Sequence, residues 1–161
     1  LGETKIVNSG HYGCLLSHIK AIELAQEKNL KSVLILEDDV EFDENFYSIL
    51  NSTILPKYDM VYLGGIISEI KLFPLGWGKA NEIMGAYAYL IKSSMYRPIL
   101  EKLYNKIYCV DIAYIEYIQP KFNVYILDDL VKTNLDSSDT SNKNKMLIKL
   151  LARTYKKPEK I

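Results

Sequence analysis

The sequence predicts an α/β layered domain with a mostly parallel central sheet, and three observations lead there. Short apolar runs alternate with longer stretches whose apolar residues repeat at helical spacing. The run over Ser32–Leu36 is unbroken, as in strands covered on both faces, whereas Phe122 to Leu127 alternates. The clearest of the runs, Ser32 to Leu36, leads into three adjacent carboxylates, Glu37, Asp38 and Asp39. In open α/β sheets, ligands bind just beyond the carboxyl ends of strands, which is where these acids stand.

Taken in order, residues 1–12 read as a polar opening loop, because Asn8, Ser9 and Gly10 cluster there. From Cys14 to about Lys28, Leu15, Ile19, Ile22 and Ala25 recur at helical spacing. Gly13 stands at the start of this helix and Asn29 is its stop. The strand over Ser32–Leu36 follows. Asp43 caps a second helix carrying Phe46, Ile49 and Leu50, and Pro56 closes that region. Met60-Val61-Tyr62-Leu63 is a strand stopped by Gly64-Gly65. Residues 66–82, with Pro74, Gly76 and Gly78, read as a long loop holding Trp77. Ala86 to Ile91 is a third strand. Ser93 or Ser94 caps a helix with Tyr96, Ile99, Leu100 and Leu103, and Pro98 lies early enough in it to be tolerated. Val110 to Ile118 is a shorter helix, and Phe122 to Leu127 the last strand. Residues 136–145 contain no apolar side chain and predict a mobile polar loop. Residues 146–161 predict a terminal amphipathic helix with a basic tail.

At 161 residues the whole chain, 1–161, fits one domain with a core of its own. Twenty basic and twenty acidic residues cancel, which gives no electrostatic reason to expect nucleic acid as a partner. No apolar run is long enough for a membrane span. No signal peptide is visible, and the chain opens at Leu1, so a fragment or a processed chain is expected. Cys14 and Cys109 are the two cysteines, read as reduced and buried. Asn51-Ser52-Thr53 is a glycosylation sequon, relevant only to a secreted protein.

Three adjacent carboxylates repel one another, and a proton or a cation must relieve them. On a strand Glu37 and Asp39 share a side while Asp38 points away. A hard divalent cation, Mn²⁺ or Mg²⁺, takes such oxygen ligands and leaves positions open for phosphate oxygens. The plainer alternative is a set of caps and solvated turn residues. Response-regulator receiver domains also carry acids at such a strand end. They begin with that strand, however, and need an aspartate ending a later one, whereas Asp59 precedes its strand here.

Taken together, "GCLLSHIKAIELAQEKNLKSVLILEDDVEF" resembles glycosyltransferase family 25, which includes bacterial lipopolysaccharide galactosyl- and glucosyltransferases and the procollagen galactosyltransferases. Gly13, Cys14, Ser17 and His18, then Glu37, Asp38 and Asp39, match its two hallmark motifs. "YDMVYLGG", "GAYAYLIKSSMYRPIL" and "CVDIAY" are similar to its later segments, in order, so the likeness runs over about residues 10–140. The resemblance implies a GT-A-like three-layer domain that lacks the usual N-terminal βα segment. It implies a UDP-sugar or related nucleotide-sugar donor, a Mn²⁺ (or Mg²⁺) cofactor held by Glu37 and Asp39, and donor contacts from Asp38 and from Ser17 and His18, whose alternative role is packing or capping within the helix layer. Asp111 matches the aspartate of the family's Val-Asp-Glu and becomes the catalytic candidate, a carboxylate able to take the proton of an acceptor hydroxyl. Ile112 stands where that motif has its glutamate. The likeness leans towards inversion of configuration.

The expected function is therefore transfer of a galactose- or glucose-type sugar to a glycan, lipid-linked or protein acceptor. The alternative is a non-catalytic, transferase-like module that binds a glycan or a partner. The expected compartment is the cytoplasm, peripheral to the inner membrane, or the endoplasmic reticulum lumen for a eukaryotic source.

Overall fold

The computed structural model describes residues 9–66, 76–105, 108–127 and 130–133. In chain order these form α1 (Ser9–Glu27), β1 (Ser32–Leu36), β2 (Val40–Phe42), α2 (Phe46–Ser52), β3 (Met60–Tyr62), β4 (Trp77–Lys79), β5 (Ala88–Lys92), α3 (Tyr96–Leu103), α4 (Val110–Tyr117), β6 (Val124–Leu127) and β7 (Val131–Thr133). The polar loop expected over 136–145 and the terminal helix lie outside the described residues.

Five strands form one sheet in the order β1-β5-β3-β6-β4, and β2 and β7 form a separate two-stranded ribbon. The chain is α/β as expected, but the mostly parallel sheet is not what forms. β5 lies antiparallel between β1 and β3, β4 lies antiparallel on β6, and only β3 and β6 pair in parallel. The physical reason is that unbroken apolar runs specify burial, not direction. β1, β3 and β6 nevertheless all run the same way, because β1 and β3 both oppose β5 and β6 follows β3. Their carboxyl ends share one rim.

The two faces of the sheet bury different sets. Met60, Tyr62, Tyr89, Ile91, Val124 and Ile126 meet the apolar stripes of α1, α3 and α4. The α1 stripe is Leu15, Ile19, Ile22 and Ala25, as its spacing predicts. Burying each of the larger side chains, Leu15, Ile19 and Ile22, contributes about 1.5–3 kcal/mol. Val61, Leu63, Ala88 and Leu127 point the other way, onto Phe46 of α2 and Leu130 and Val131.

Several boundaries differ from expectation. α1 already includes Ser9, so residues 9–12 are helix rather than loop, and Gly13 lies within it. Its end is as read: Asn29 adopts φ 52°. The Asn29 N–H donates to Gln26 O and the Leu30 N–H to Ala25 O, both at 3.0 Å, which closes the helix in a Schellman motif. Asp43 prepares α2 without capping it, its side chain accepting the Asn45 N–H at 2.8 Å while Asn45 is the residue before the helix. β1 is an edge strand, not a doubly covered one: Ile35 is buried, but Leu34 and Leu36 are 40% and 39% exposed. The stretch read as a loop around Trp77 contains β4. Among the described residues no helix is long and apolar enough to cross a membrane.

Candidate functional site

The acidic motif sits on the rim shared by the carboxyl ends of β1, β3 and β6. Glu37 continues the β1–β5 ladder by one bond, its N–H donating to Tyr87 O at 2.8 Å. Asp38 and Asp39 then form the turn into β2. The turn breaks strand alternation, so Glu37 and Asp39 find partners on different elements rather than on one shared side.

Glu37 turns to α1. Its Oε1 accepts from His18 Nε2 at 3.2 Å and from the Cys14 thiol at 3.6 Å. Cys14 and His18 are four residues apart on α1 and so lie on one face. The bond from His18 holds the Glu37 carboxyl below its ordinary pKa, against the opposing pull of burial. Burial first, and Glu37's charge second, push the Cys14 thiol well up, so it stays protonated. His18 is 3% exposed, and its Nδ1 lies 2.7 Å from Tyr89 Oη. Tyr89 in turn shares a 2.9 Å hydrogen bond with Tyr114 Oη. A carboxylate only accepts, so Nε2 carries the proton toward Glu37, and in the neutral imidazole Nδ1 then accepts from Tyr89. Glu37, His18, Tyr89 and Tyr114 thus form one chain from the rim into the core.

Asp39 faces the ribbon. Its Oδ2 accepts from Thr133 Oγ1 of β7 at 2.9 Å. Its Oδ1 is enclosed and has no hydrogen-bond partner among the described residues. An enclosed, unpartnered carboxylate oxygen is costly, and such an atom is well suited to a cation. Asp38 is exposed on the turn.

Asp111 lies in the first turn of α4, and its Oδ1 accepts the Ala86 N–H at 2.7 Å. That bond ties α4 to the start of β5 on the same rim. Burial raises its pKa, the Ala86 donor opposes the rise, and the charge of Glu37 adds to it. Ser17 is exposed and donates to Gly13 O of its own helix at 3.0 Å. Cys14 and Cys109 are free thiols, half-buried rather than deep in the core.

Two glycines shape the rim. A Cβ on Gly64 would lie 1.9 Å from the Val131 carbonyl oxygen, so the close approach of Val131 requires a residue without a side chain at 64. Gly85, which precedes the Ala86 donor, has φ +92°, a conformation that side chains rarely adopt.

Sequence reasoning missed Cys14, Tyr89, Tyr114 and Thr133 as site residues. The spacing of Cys14 and His18 was the one available signal, since it places both on one helix face.

Residues 2–71 match the family model described as glycosyltransferase family 25 (LPS biosynthesis protein). A "Glycosyltransferase 25 family member" of Drosophila melanogaster is 38% identical over 90 residues, 53% of this chain and 15% of that protein. One from Drosophila pseudoobscura pseudoobscura is 37% identical over 65 residues, 37% of this chain and 10% of its own length. A "Probable inactive glycosyltransferase 25 family member 3" of Rattus norvegicus is 33% identical over 66 residues, 37% of this chain and 12% of that protein. The matches therefore span at most 15% of the length of these relatives.

Proposed function

The chain belongs to glycosyltransferase family 25, and from that membership we propose that its acidic rim is the donor site of a metal-dependent glycosyltransferase. It moves a galactose- or glucose-type sugar from a UDP-sugar to a glycan or glycoconjugate acceptor. The observation that carries this reading is Asp39 Oδ1, enclosed and without a partner among the described residues, on the rim where co-directional strands end. The residues fit a hard cation: Asp39 would hold Mn²⁺ or Mg²⁺, with Asp38 exposed beside it on the turn. When bound, the metal would neutralise charge on the diphosphate of the donor.

The chain's own groups have separate tasks. Asp111 accepts the proton of the acceptor hydroxyl, and the Ala86 N–H holds its carboxyl in place. Burial makes Asp111 a stronger base than an exposed aspartate, because its proton is held more tightly. Glu37, expected to share the metal with Asp39, is held by His18 and Cys14, and acts by fixing the turn that carries Asp38 and Asp39.

The test is UDP release from UDP-galactose and UDP-glucose with Mn²⁺ and glycan acceptors. Asp39→Asn removes metal-dependent turnover, and Asp111→Asn lowers kcat about 100- to 10,000-fold. Full turnover in a folded Asp39→Asn protein refutes the assignment. Two observations favour the second reading, a binding module without turnover: Ile112 replaces the acidic residue after Asp111, and the rat relative is named probable inactive. That reading predicts donor binding without UDP release.

A further inference from the structure

Cys14, His18 and Glu37 bring a sulfur, a nitrogen and an oxygen together beside the rim, and this donor set differs from that of Asp39. The three ligand atoms all lie within 4.8 Å of one another. Cys14 Sγ is 3.6 Å and His18 Nε2 is 3.2 Å from the same Glu37 oxygen. Around tetrahedral Zn²⁺, bonds of about 2.3 Å to sulfur and about 2.0–2.1 Å to nitrogen and oxygen put neighbouring ligand atoms about 3.3–3.6 Å apart. Both distances to Glu37 already match the spacing of ligands, and the sulfur and nitrogen lie within 4.8 Å of each other. We propose that Cys14, His18 and Glu37 form a three-ligand site for a borderline-soft divalent cation, Zn²⁺ above all, which ties α1 to the carboxyl end of β1.

Three further features support a built site. Cys14 and His18 present from one helix face, and Glu37 comes from the strand that face packs on, so the ligands come from two elements fixed by the same core. His18 has the outer partner that ligating imidazoles require: Tyr89 Oη lies 2.7 Å from Nδ1 and is itself backed by Tyr114. A tyrosine hydroxyl can accept as well as donate. When Nε2 takes a metal, the imidazole proton sits on Nδ1 and donates to Tyr89, which donates to Tyr114, and no buried group loses its partner. The thiol proton leaves to solvent, and the cation replaces the two donors that now share Glu37 Oε1. Finally, the sulfur and imidazole select against Mn²⁺ and Mg²⁺, so this site does not compete with Asp39 for the hard cation. The fourth position falls to water.

The experiment is titration of the reduced, chelator-treated chain with Co²⁺ alone. One equivalent produces thiolate-to-cobalt charge-transfer absorption in the near ultraviolet, Zn²⁺ abolishes it by displacement, and Mn²⁺ does not. Outer partners of a metal site are worth about 10- to 100-fold in affinity, so Tyr89→Phe weakens Co²⁺ by that factor and loss of a ligand in Cys14→Ser or His18→Gln by at least as much. Cys14→Ser also removes the absorption band. Asp39→Asn keeps it, which separates this site from the donor site. A folded wild-type chain that binds Co²⁺ with no sulfur band overturns the proposal, as does a band that persists in folded Cys14→Ser. The wild-type spectrum decides the matter even if a variant fails to fold.

Discussion

Tyr89→Phe tests whether the buried polar chain holds the rim. The substitution keeps a ring that is 0% exposed, so apolar packing is retained. It deletes one oxygen that lies 2.7 Å from His18 Nδ1 and 2.9 Å from Tyr114 Oη. Both partners are buried, so neither recovers its bond from water. A buried polar group left unsatisfied costs about 1–3 kcal/mol. Two such groups, less the desolvation recovered by removing the hydroxyl, give a loss of about 2–4 kcal/mol. In a chain of 161 residues this lowers Tm by roughly 5–15 °C. The assay is urea unfolding by circular dichroism, with an unchanged m-value showing that the unfolding transition itself is preserved. A loss under about 0.5 kcal/mol with an unchanged m-value would refute the reasoning, because the hydroxyl would then contribute no more than an exposed one.

Two further perturbations follow from the same geometry. Stability should fall as pH rises above the ordinary aspartate value of 3.8, because Asp111 has a raised pKa and the folded state holds its proton more tightly. That contribution is fully present below 3.8 and is lost as pH passes through the folded pKa; Asp111→Asn removes this decline in urea unfolding across pH 3–7. Glu37 has the opposite sign: its depressed pKa stabilises the fold above 4.5, and this is lost as pH falls through the folded value. Gly64→Ala would place its Cβ 1.9 Å from the Val131 carbonyl oxygen, whose own residue is pinned by the Val131 N–H donating to Leu63 O at 2.8 Å. Overpacking of this kind costs about 1–3 kcal/mol, measured by thermal unfolding, and pushes β7 with Thr133 away from Asp39; a stability equal to wild type would contradict the close approach.

The sequence carried the helices well, because Leu15, Ile19, Ile22 and Ala25 state their shared face by spacing alone. β1, β3, β5 and β6 were readable as apolar runs. β2, β4 and β7 were not: Trp77-Gly78-Lys79 and Val131-Lys132-Thr133 are too short to show a period, and pairing partners far along the chain decide their state. Strand direction was illegible for a related reason. It depends on β5 inserting between β1 and β3, which no local pattern encodes. The rim argument survived this, since β1, β3 and β6 still share a direction. The acids were legible as a site but not in their individual roles. Glu37 is claimed by Cys14 and His18, and Asp39 by Thr133, 94 residues away.

The central claim is that Asp39 completes a metal–diphosphate site. Titration calorimetry of UDP into the chain, with and without Mn²⁺, in wild type and Asp39→Asn, tests it most directly. Asp39→Asn keeps an acceptor for Thr133 and removes an enclosed charge, so the variant should fold with stability within about 1 kcal/mol of wild type. The account predicts UDP binding to wild type that requires Mn²⁺ and disappears in the folded variant. Binding that is equal in the two proteins, or that ignores Mn²⁺, would contradict it.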